Sequence, residues 1–187
     1  MEILAHTLWT TAAARTANEK AKKENKKIKF NLFWTSFWGI FPDLFAFTIP
    51  FIVFFFNILS NPQVFEGVAR SRRIVDASGL ASVLYQYSHS IVIWVLVFSL
   101  IWVFVKKPPL PLLGWVFHII LDIPSHAIGY YATPFLYPLS NYRFPYGVAW
   151  SNKWFMIGNY TILLIIWGVI LYKKYKKDKI NIIKNKE

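Results

Sequence analysis

The chain has 187 residues, of which 56% are hydrophobic and 19% aromatic, and it carries 21 Lys and Arg against 9 Asp and Glu. The apolar residues form blocks and the lysines lie between and after them. This is typical of an integral membrane protein and argues against a nucleic-acid-binding protein of similar charge. The lack of Cys excludes disulfides and thiolate chemistry, so a metal would be bound by His, Asp or Glu. The length suits one domain over residues 1–187, and no cleavable signal peptide is expected.

The first third of the chain predicts two helical regions joined by a basic loop. We expect a helix over Ile3–Lys23, with alanines in its middle and lysines at its end, and a loop over Lys20–Lys29. In the strongly apolar stretch that follows, we expect a break at Pro42 between Phe33–Phe41 and Leu44–Leu59. The second of these pieces alone is slightly short of the roughly 20 residues that span a membrane.

The middle of the chain predicts a loop and one long helix. We expect a loop over Ser60–Arg73 and a helix that begins near Asp76 or Ser78, either of which could cap it. This helix is expected to end near Val105, because two lysines and two prolines follow. Its second half is apolar enough to lie in lipid.

The last third predicts two apolar helices on either side of an irregular segment. Pro111 suits the first turn of a helix that runs to about Leu121. Residues Gly129–Asn152 are rich in Tyr, Pro and Ser and are expected to be irregular. A final apolar helix is expected over about Phe155–Tyr172, followed by a basic tail over about 173–187.

The positions of the lysines predict the orientation of these helices in a membrane. If the basic tail lies in the cytoplasm, counting back through four spans also places Lys106-Lys107 and Lys20–Lys29 there. The arginines between Arg70 and Arg73 then lie on the outer side, against the rule. We therefore expect an all-α, polytopic helical bundle in the cell membrane. It would have about four transmembrane helices plus an N-terminal helix, with both termini cytoplasmic.

His118, Asp122 and His126 are the strongest candidates for a functional site. Each lies four positions after the last in G-W-V-F-H-I-I-L-D-I-P-S-H, so all three could face one side of a helix. Ionisable groups among apolar residues must be paired or bound to a cation, which predicts a metal site. The alternative is that Asp122 accepts hydrogen bonds from both imidazoles with no cation. Pro124 weakens the helical spacing, so His126 could also come from a bend.

Three further residues are candidates, each with an ordinary structural alternative. His89, in Y-Q-Y-S-H-S-I-V, is a metal ligand or part of a polar collar at the start of a helix. Asp43, in F-W-G-I-F-P-D-L-F, is a ligand, a general base or a helix N-cap after Pro42. His6 is a ligand or an ordinary histidine at the membrane interface. The predicted topology places His89, Asp122 and His126 near the outer ends of their helices.

These donors predict the metal and the reaction. Nitrogen and oxygen ligands without sulfur suit Zn²⁺ better than Mn²⁺ or Fe²⁺. Six donors exceed the needs of one tetrahedral ion, so either two ions are bound or an Asp serves as general base; Asp43 and Asp122 are the candidate catalytic carboxylates. Zinc-bound water would hydrolyse an ester or phosphodiester. The alternatives are a divalent-metal transporter or sensor, and a membrane scaffold with a structural polar cluster.

A family resemblance supports the hydrolase interpretation. The order L-A-H-T-L, G-I-F-P-D-L, Y-S-H-S, H-I-I-L-D-I-P-S-H and T-P-F-L-Y-P-L-S resembles the predicted membrane-bound metal-dependent hydrolases, the YdjM-like proteins. It is also distantly similar to zinc-dependent phospholipase C. The resemblance covers about residues 1–150. Phe45 stands where the family often has a second Asp, and Leu84-Tyr85 where it often has His-Arg. The resemblance implies a site formed by His6, Asp43, His89, His118, Asp122 and His126.

Arg143 is the candidate substrate-binding residue. It follows the proline-fixed loop Thr133–Ser140, which the predicted topology places near the outer mouth of the site. A guanidinium group can bind a phosphate oxygen pair bidentately; the alternative is an interfacial Arg that faces lipid headgroups. A site embedded in the bilayer favours a lipid or lipid-linked substrate.

Overall fold

The computed structural model describes residues 1–60, 79–128 and 131–184, and these residues are organised around six α-helices. The prediction of an all-α protein is confirmed. The helices are α1 Ile3–Lys23, α2 Leu32–Ser60, α3 Leu80–Ser88, α4 Ile91–Val105, α5 Leu113–Ser125 and α6 Lys153–Lys184. A single 3₁₀ turn over Leu110–Leu112 precedes α5, so Pro111 lies just before this helix and not, as had been predicted, in its first turn. The predicted loop after Ser60 and the predicted caps Asp76 and Ser78 fall outside the described residues.

Helix α1 has the predicted bounds, and its start is capped by a side chain. The carboxylate of Glu2 accepts hydrogen bonds from the backbone N–H groups of Leu4 (2.8 Å) and Ala5 (3.0 Å). A negative group at this end and lysines in the last turn both match the helix dipole. The cap fixes the first turn of α1, which carries His6.

Helix α2 is continuous, so the predicted break at Pro42 is wrong. Pro42 and Pro50 both lie inside the helix. A proline removes one backbone donor, but helices packed against one another can supply partners to the affected turn. Here the ring of His118 bonds to the carbonyl of Gly39 at 2.8 Å, in the turn before Pro42. Asp43 is consequently an interior residue of α2 and not an N-cap.

The single long helix predicted to end near Val105 is instead two helices with axes bent by 60°. His89 ends α3, and the side chain of Ser90 begins α4 by accepting the N–H of Ile93 at 3.2 Å. The N–H of Ile91, in the first turn of α4, donates a hydrogen bond to the carbonyl of Phe135 at 2.9 Å. Contacts from a distant segment thus stabilise a break that the local sequence did not predict.

The two C-terminal helices are longer than predicted. Helix α5 continues past Leu121 and includes Pro124 in its last turn, after which His126 is extended (φ −122°, ψ 119°). His126 therefore comes from a bend, as the position of Pro124 allowed. Helix α6 continues from the apolar stretch through the lysines to Lys184. Residues 131–152 form no helix or strand, as expected of that segment.

Helices α2 and α6 are long and apolar enough to cross a membrane, and the bent pair α3–α4 makes a third if it counts as one span. Helix α5 is apolar but shorter than the roughly 20 residues that a span needs. Within the described ranges, two or three helices are therefore long and apolar enough to span a membrane, whereas four spans were predicted.

Helices α1, α2 and α5 pack at van der Waals contact between backbones. A Cβ atom on Gly114 would lie 2.1 Å from the carbonyl oxygen of Thr35 and 2.9 Å from the nitrogen of Gly39. A Cβ on Gly39 would lie 2.5 Å from the hydroxyl of Thr10. Small residues let membrane helices approach closely in this way. The approach brings both α1 and α5 against the turn of α2 that precedes Asp43.

Candidate metal centre

Four polar side chains from three parts of the chain meet in the middle of the bundle. Asp43 comes from α2, His89 from the bend between α3 and α4, and His118 and Asp122 from successive turns of α5. One ligand atom of each lies within 4.8 Å of those of the other three. His89, His118 and Asp122 are fully buried and Asp43 is 8% exposed. The four residues, called the tetrad below, could hold a metal ion.

The distances within the tetrad match the edges of a tetrahedron around a zinc-sized ion. The two Nε2 atoms of His89 and His118 are 3.1 Å apart. They lie 3.4 and 3.2 Å, respectively, from Oδ2 of Asp122, and 3.5 and 3.8 Å from Oδ1 of Asp43. Tetrahedral bonds of about 2.0–2.1 Å separate neighbouring ligand atoms by roughly 3.3–3.4 Å. Five of the six separations are therefore near those expected around a four-coordinate ion, and the two carboxylates lie within 4.8 Å of one another.

Both histidines are held so that Nε2 faces the centre of the tetrad. Nδ1 of His118 is 2.8 Å from the carbonyl oxygen of Gly39, which can only accept, so this nitrogen carries the proton. Nδ1 of His89 is 2.9 Å from the hydroxyl of Ser88. Metal-binding histidines characteristically make such a second contact, which fixes the tautomer and the ring orientation.

In the part of the chain that the structure describes, no positive charge lies among the donor atoms of the tetrad that face one another, although the ammonium group of Met1 contacts the other oxygen of Asp122, Oδ1. A neutral His118 with its proton on Nδ1 has a lone pair on Nε2. That lone pair faces Nε2 of His89 and two carboxylates. Within the described residues, Oδ2 of Asp122 is buried and makes no hydrogen bond, although two imidazole nitrogens lie near it. Acceptors facing one another in a buried site are unfavourable unless a cation or additional protons lie between them. The donor set thus fits a divalent cation, and doubly protonated imidazoles are the competing state.

His6 lies beside the tetrad. Its ring stacks on that of His118, with centroids 3.6 Å apart, and its Nε2 is 2.9 Å from Oδ1 of Asp122. His6 is fully buried, yet neither ring nitrogen makes an aligned hydrogen bond in the described part of the chain. The amine of Met1 contacts the same carboxylate oxygen. Asp122 therefore directs Oδ2 towards the tetrad and Oδ1 towards α1.

His126 is close to Asp122 but does not belong to the tetrad. Its Nδ1 lies 3.2 Å from the backbone carbonyl of Asp122 and 3.5 Å from Oδ1. Burial lowers the pKa of His126 to about 4, so its ring is neutral near pH 7. A Cβ on Gly147 would lie 2.1 Å from the carbonyl of His126, and Val148 donates to the carbonyl of Pro124 at 2.9 Å. The segment after α5 thus folds back over the end of that helix.

Three residues that position the tetrad were not identified from the sequence. Gly39 acts through a backbone carbonyl, for which no side-chain pattern gives a signal. Ser88 precedes His89 in the motif Y-S-H-S, but its role as a partner of the ring depends on the bend there. Tyr85 stacks on His89, with centroids 3.7 Å apart, and donates its hydroxyl to the carbonyl of Tyr131 at 2.8 Å.

Arg143 lies in the irregular segment that is fastened to the bend carrying His89. The hydroxyl of Ser90 donates to the carbonyl of Tyr137, in addition to the Ile91–Phe135 bond. Nη1 of Arg143 is buried and makes no hydrogen bond within the ranges described. Burial is the main cause that lowers the pKa of this guanidinium, which nevertheless stays charged at neutral pH. A partly desolvated cation without an acceptor is a candidate anion-binding group.

Comparison of the chain with protein-family models, with curated proteins and with solved structures found no match in any of the three. The interpretation of the site therefore depends on its own geometry and chemistry.

Proposed function

We propose that this protein is a membrane-embedded, metal-dependent hydrolase that cleaves an ester or phosphodiester of a lipid or lipid-linked substrate. The observation that carries the proposal is the spacing of the tetrad, in which two oriented imidazoles and two carboxylates surround a space of zinc-like dimensions. The resemblance to the YdjM-like hydrolases agrees with this assignment. Bound zinc would supply a Lewis acid and a water molecule acidic enough to attack at neutral pH.

The geometry favours different roles for the two carboxylates. Oδ2 of Asp122 is the nearer to both imidazoles, at 3.2 and 3.4 Å, and it has no hydrogen-bond donor in the described structure. Asp43 lies farther away, at 3.5 and 3.8 Å, and is the only member of the tetrad with measurable exposure. We assign His89, His118 and Asp122 as metal ligands and Asp43 as the group that accepts the proton of the attacking water. His6 and His126 would hold Asp122 in place.

The partly buried guanidinium of Arg143 favours a phosphodiester over a carboxylic ester. Its unpaired Nη1 needs an anionic acceptor, and a phosphate can take two parallel hydrogen bonds from an Arg. The segment that carries Arg143 is fastened to the bend at His89. The guanidinium interacts with Tyr85, whose ring stacks on that of His89.

Helix lengths support a site in the outer half of the bilayer. We estimate how far the metal centre lies from the lysines by counting residues along the chain. At about 1.5 Å per helical residue, three residues at or beside the centre are each roughly 20–25 Å from the nearest lysine group. The pairs are His6 with Lys20, Asp43 with Lys29 and His89 with Lys106. The hydrocarbon layer is about 30 Å thick, so lysines in the cytoplasm place the centre beyond its midplane. In this arrangement α2, the bent pair α3–α4, α5 and α6 are the four spans and the C-terminal tail is cytoplasmic, whereas Met1, whose amine contacts Asp122, lies at the centre and not in the cytoplasm.

The proposal is tested by metal content and activity measured on the same detergent-purified samples. We expect wild-type protein to hold stoichiometric zinc and to cleave at least one lipid in a screen of phosphodiesters and acyl esters. The double substitution His118→Ala, Asp122→Ala should remove both. The single substitution Ile120→Ala is the control, because it changes an exposed residue of the same helix outside the tetrad and should leave the ion bound. Zinc retained by the double variant would refute the site.

A further inference from the structure

A groove of about 300 Å³ runs between α1 and the first turns of α6. The lining side chains are apolar or aromatic except for one amide, and they are Trp9, Trp154, Phe155, Gly158, Asn159 and Ile162. The indole N–H of Trp9 donates to Oδ1 of Asn159 at 2.8 Å, so this wall is fixed. Gly158 leaves the floor open, because a Cβ there would meet nothing within 4 Å. The groove is therefore preformed and suited to an apolar chain.

One end of the groove carries a positive charge. The ammonium group of Lys153 lies 5.3 Å from the ring centroid of Trp154, at the first residue of α6. Lysine and tryptophan together are typical of the interface between lipid headgroups and the hydrocarbon layer. From this end the groove follows α6 towards Ile162, into the helix that is apolar enough to cross a membrane.

We propose that this groove binds one phospholipid molecule, with the phosphate at Lys153 and an acyl chain over Gly158 and Ile162. A cation at one end and apolar walls along the rest complement an anionic headgroup that is joined to a hydrocarbon chain. The occupant is a lipid because α6 is a candidate membrane span, and lipid is what surrounds such a helix. Binding requires no reaction at the tetrad and so goes beyond the proposed function.

The lipid would lie one helical turn from the candidate metal centre. Trp9 follows His6 by three positions on α1, so the two side chains lie on neighbouring parts of one face. The same end of α1 is packed against α6, where Leu163 contacts Met1 and Ala5 in a buried cluster. A lipid in the groove would consequently stabilise the contact of α1 with α6 that holds His6 in position.

The proposal is tested by filling the groove. Gly158→Leu places a side chain on its floor, and Gly168→Leu is the control, because a Cβ at Gly168 also meets nothing within 4 Å but lies outside the groove. Both changes replace a helix-interior glycine by a good helix former, so both variants are expected to fold. Native mass spectrometry with dioleoylphosphatidylglycerol, on protein freed of metal by chelator, would give the affinity for a single lipid.

We expect wild type and Gly168→Leu to bind one lipid equally, and Gly158→Leu to bind about tenfold more weakly, as expected when roughly two buried methylenes are displaced. Equal binding by all three would overturn the proposal. Should Gly158→Leu fail to fold, a second pair of variants at exposed positions repeats the comparison. Ile162→Trp changes a residue inside the groove, and Ile165→Trp is its control outside the groove.

The headgroup end is tested separately. Lys153→Gln should weaken binding of the phospholipid while leaving binding of dioleoylglycerol, which lacks the phosphate, at its wild-type level. If Lys153→Gln weakens neither lipid, the assignment of the phosphate to Lys153 is wrong. Because the protein is free of metal throughout, failure here leaves the proposed hydrolase untouched.

Discussion

Gly114→Ala should disable the candidate metal centre without altering any of its side chains. The added Cβ would lie 2.1 Å from the carbonyl oxygen of Thr35, and ordinary contact begins near 3.4 Å, so α5 would have to move from α2 by roughly 1.3 Å. The opposing atoms belong to the backbone and cannot rotate away. A shift of that size would break the 2.8 Å hydrogen bond from His118 to Gly39 and turn Nε2 from the centre.

Two magnitudes follow from this displacement. Overpacking against backbone typically costs about 1–3 kcal/mol of stability. Loss of the partner that orients a metal-binding histidine typically weakens metal affinity by about 10–100-fold. Zinc affinity would be measured by competition with a chromogenic chelator, and stability by thermal unfolding in detergent. Gly168→Ala is the control, because its Cβ meets open space and should leave both quantities unchanged or slightly raise stability. Wild-type zinc affinity in Gly114→Ala would refute the reasoning.

Three further substitutions test individual roles. Asp43→Asn should keep zinc bound but lower kcat about 10²–10⁴-fold, as expected on loss of a general base; loss of the ion would identify Asp43 as a ligand instead. Ser88→Ala should weaken zinc affinity about tenfold, because His89 loses the partner of its Nδ1. Ser88→Thr restores the hydroxyl and should recover the affinity, measured in the same chelator competition. Arg143→Gln should raise KM for a phosphodiester substrate by about tenfold and leave KM for a carboxylic ester unchanged, since only the phosphate offers an anion to the guanidinium. Equal effects on both substrates would exclude a phosphate-binding role.

The helical periodicity of α5 was the most informative part of the sequence. His118 and Asp122 are four residues apart on one helix, and the structure directs both towards the same centre. The bounds of α1 were also predictable, because alanines and a lysine-rich end act locally; the structure adds a local cap at Glu2. Where short-range interactions determine the outcome, sequence reasoning was sufficient.

Long-range contacts explain the features that the sequence did not predict. Pro42 was expected to break α2, but the helix is continuous. The ring of His118 on α5 bonds to the carbonyl of Gly39, the neighbour of the Trp38 carbonyl that lacks a donor at Pro42. The bend at His89 was missed because part of its stabilisation comes from the carbonyl of Phe135, 44 positions after Ile91 in the chain. The sequence therefore identified Asp43 and His89 as candidates while misjudging the local structure around both.

The structure brings four of the six candidate ligands together in one group that could hold an ion. His6 stacks on His118 and approaches the opposite oxygen of Asp122, and His126 bonds to a backbone carbonyl. Composition alone cannot separate such neighbours from ligands, because the distinction depends on which ring nitrogen faces the centre. The proposed three ligands with Asp43 as the base suit one ion, with the remaining two imidazoles beside Asp122.

The most direct test of the central claim is X-ray absorption spectroscopy of the zinc-loaded protein, with zinc content determined on the same sample. We predict one zinc per chain, bound by four nitrogen and oxygen atoms at about 2.0–2.1 Å with imidazole scattering from two histidines. Removal of both rings, in His89→Ala, His118→Ala, should abolish the bound ion. An unchanged zinc spectrum and stoichiometry in that double variant would contradict the account.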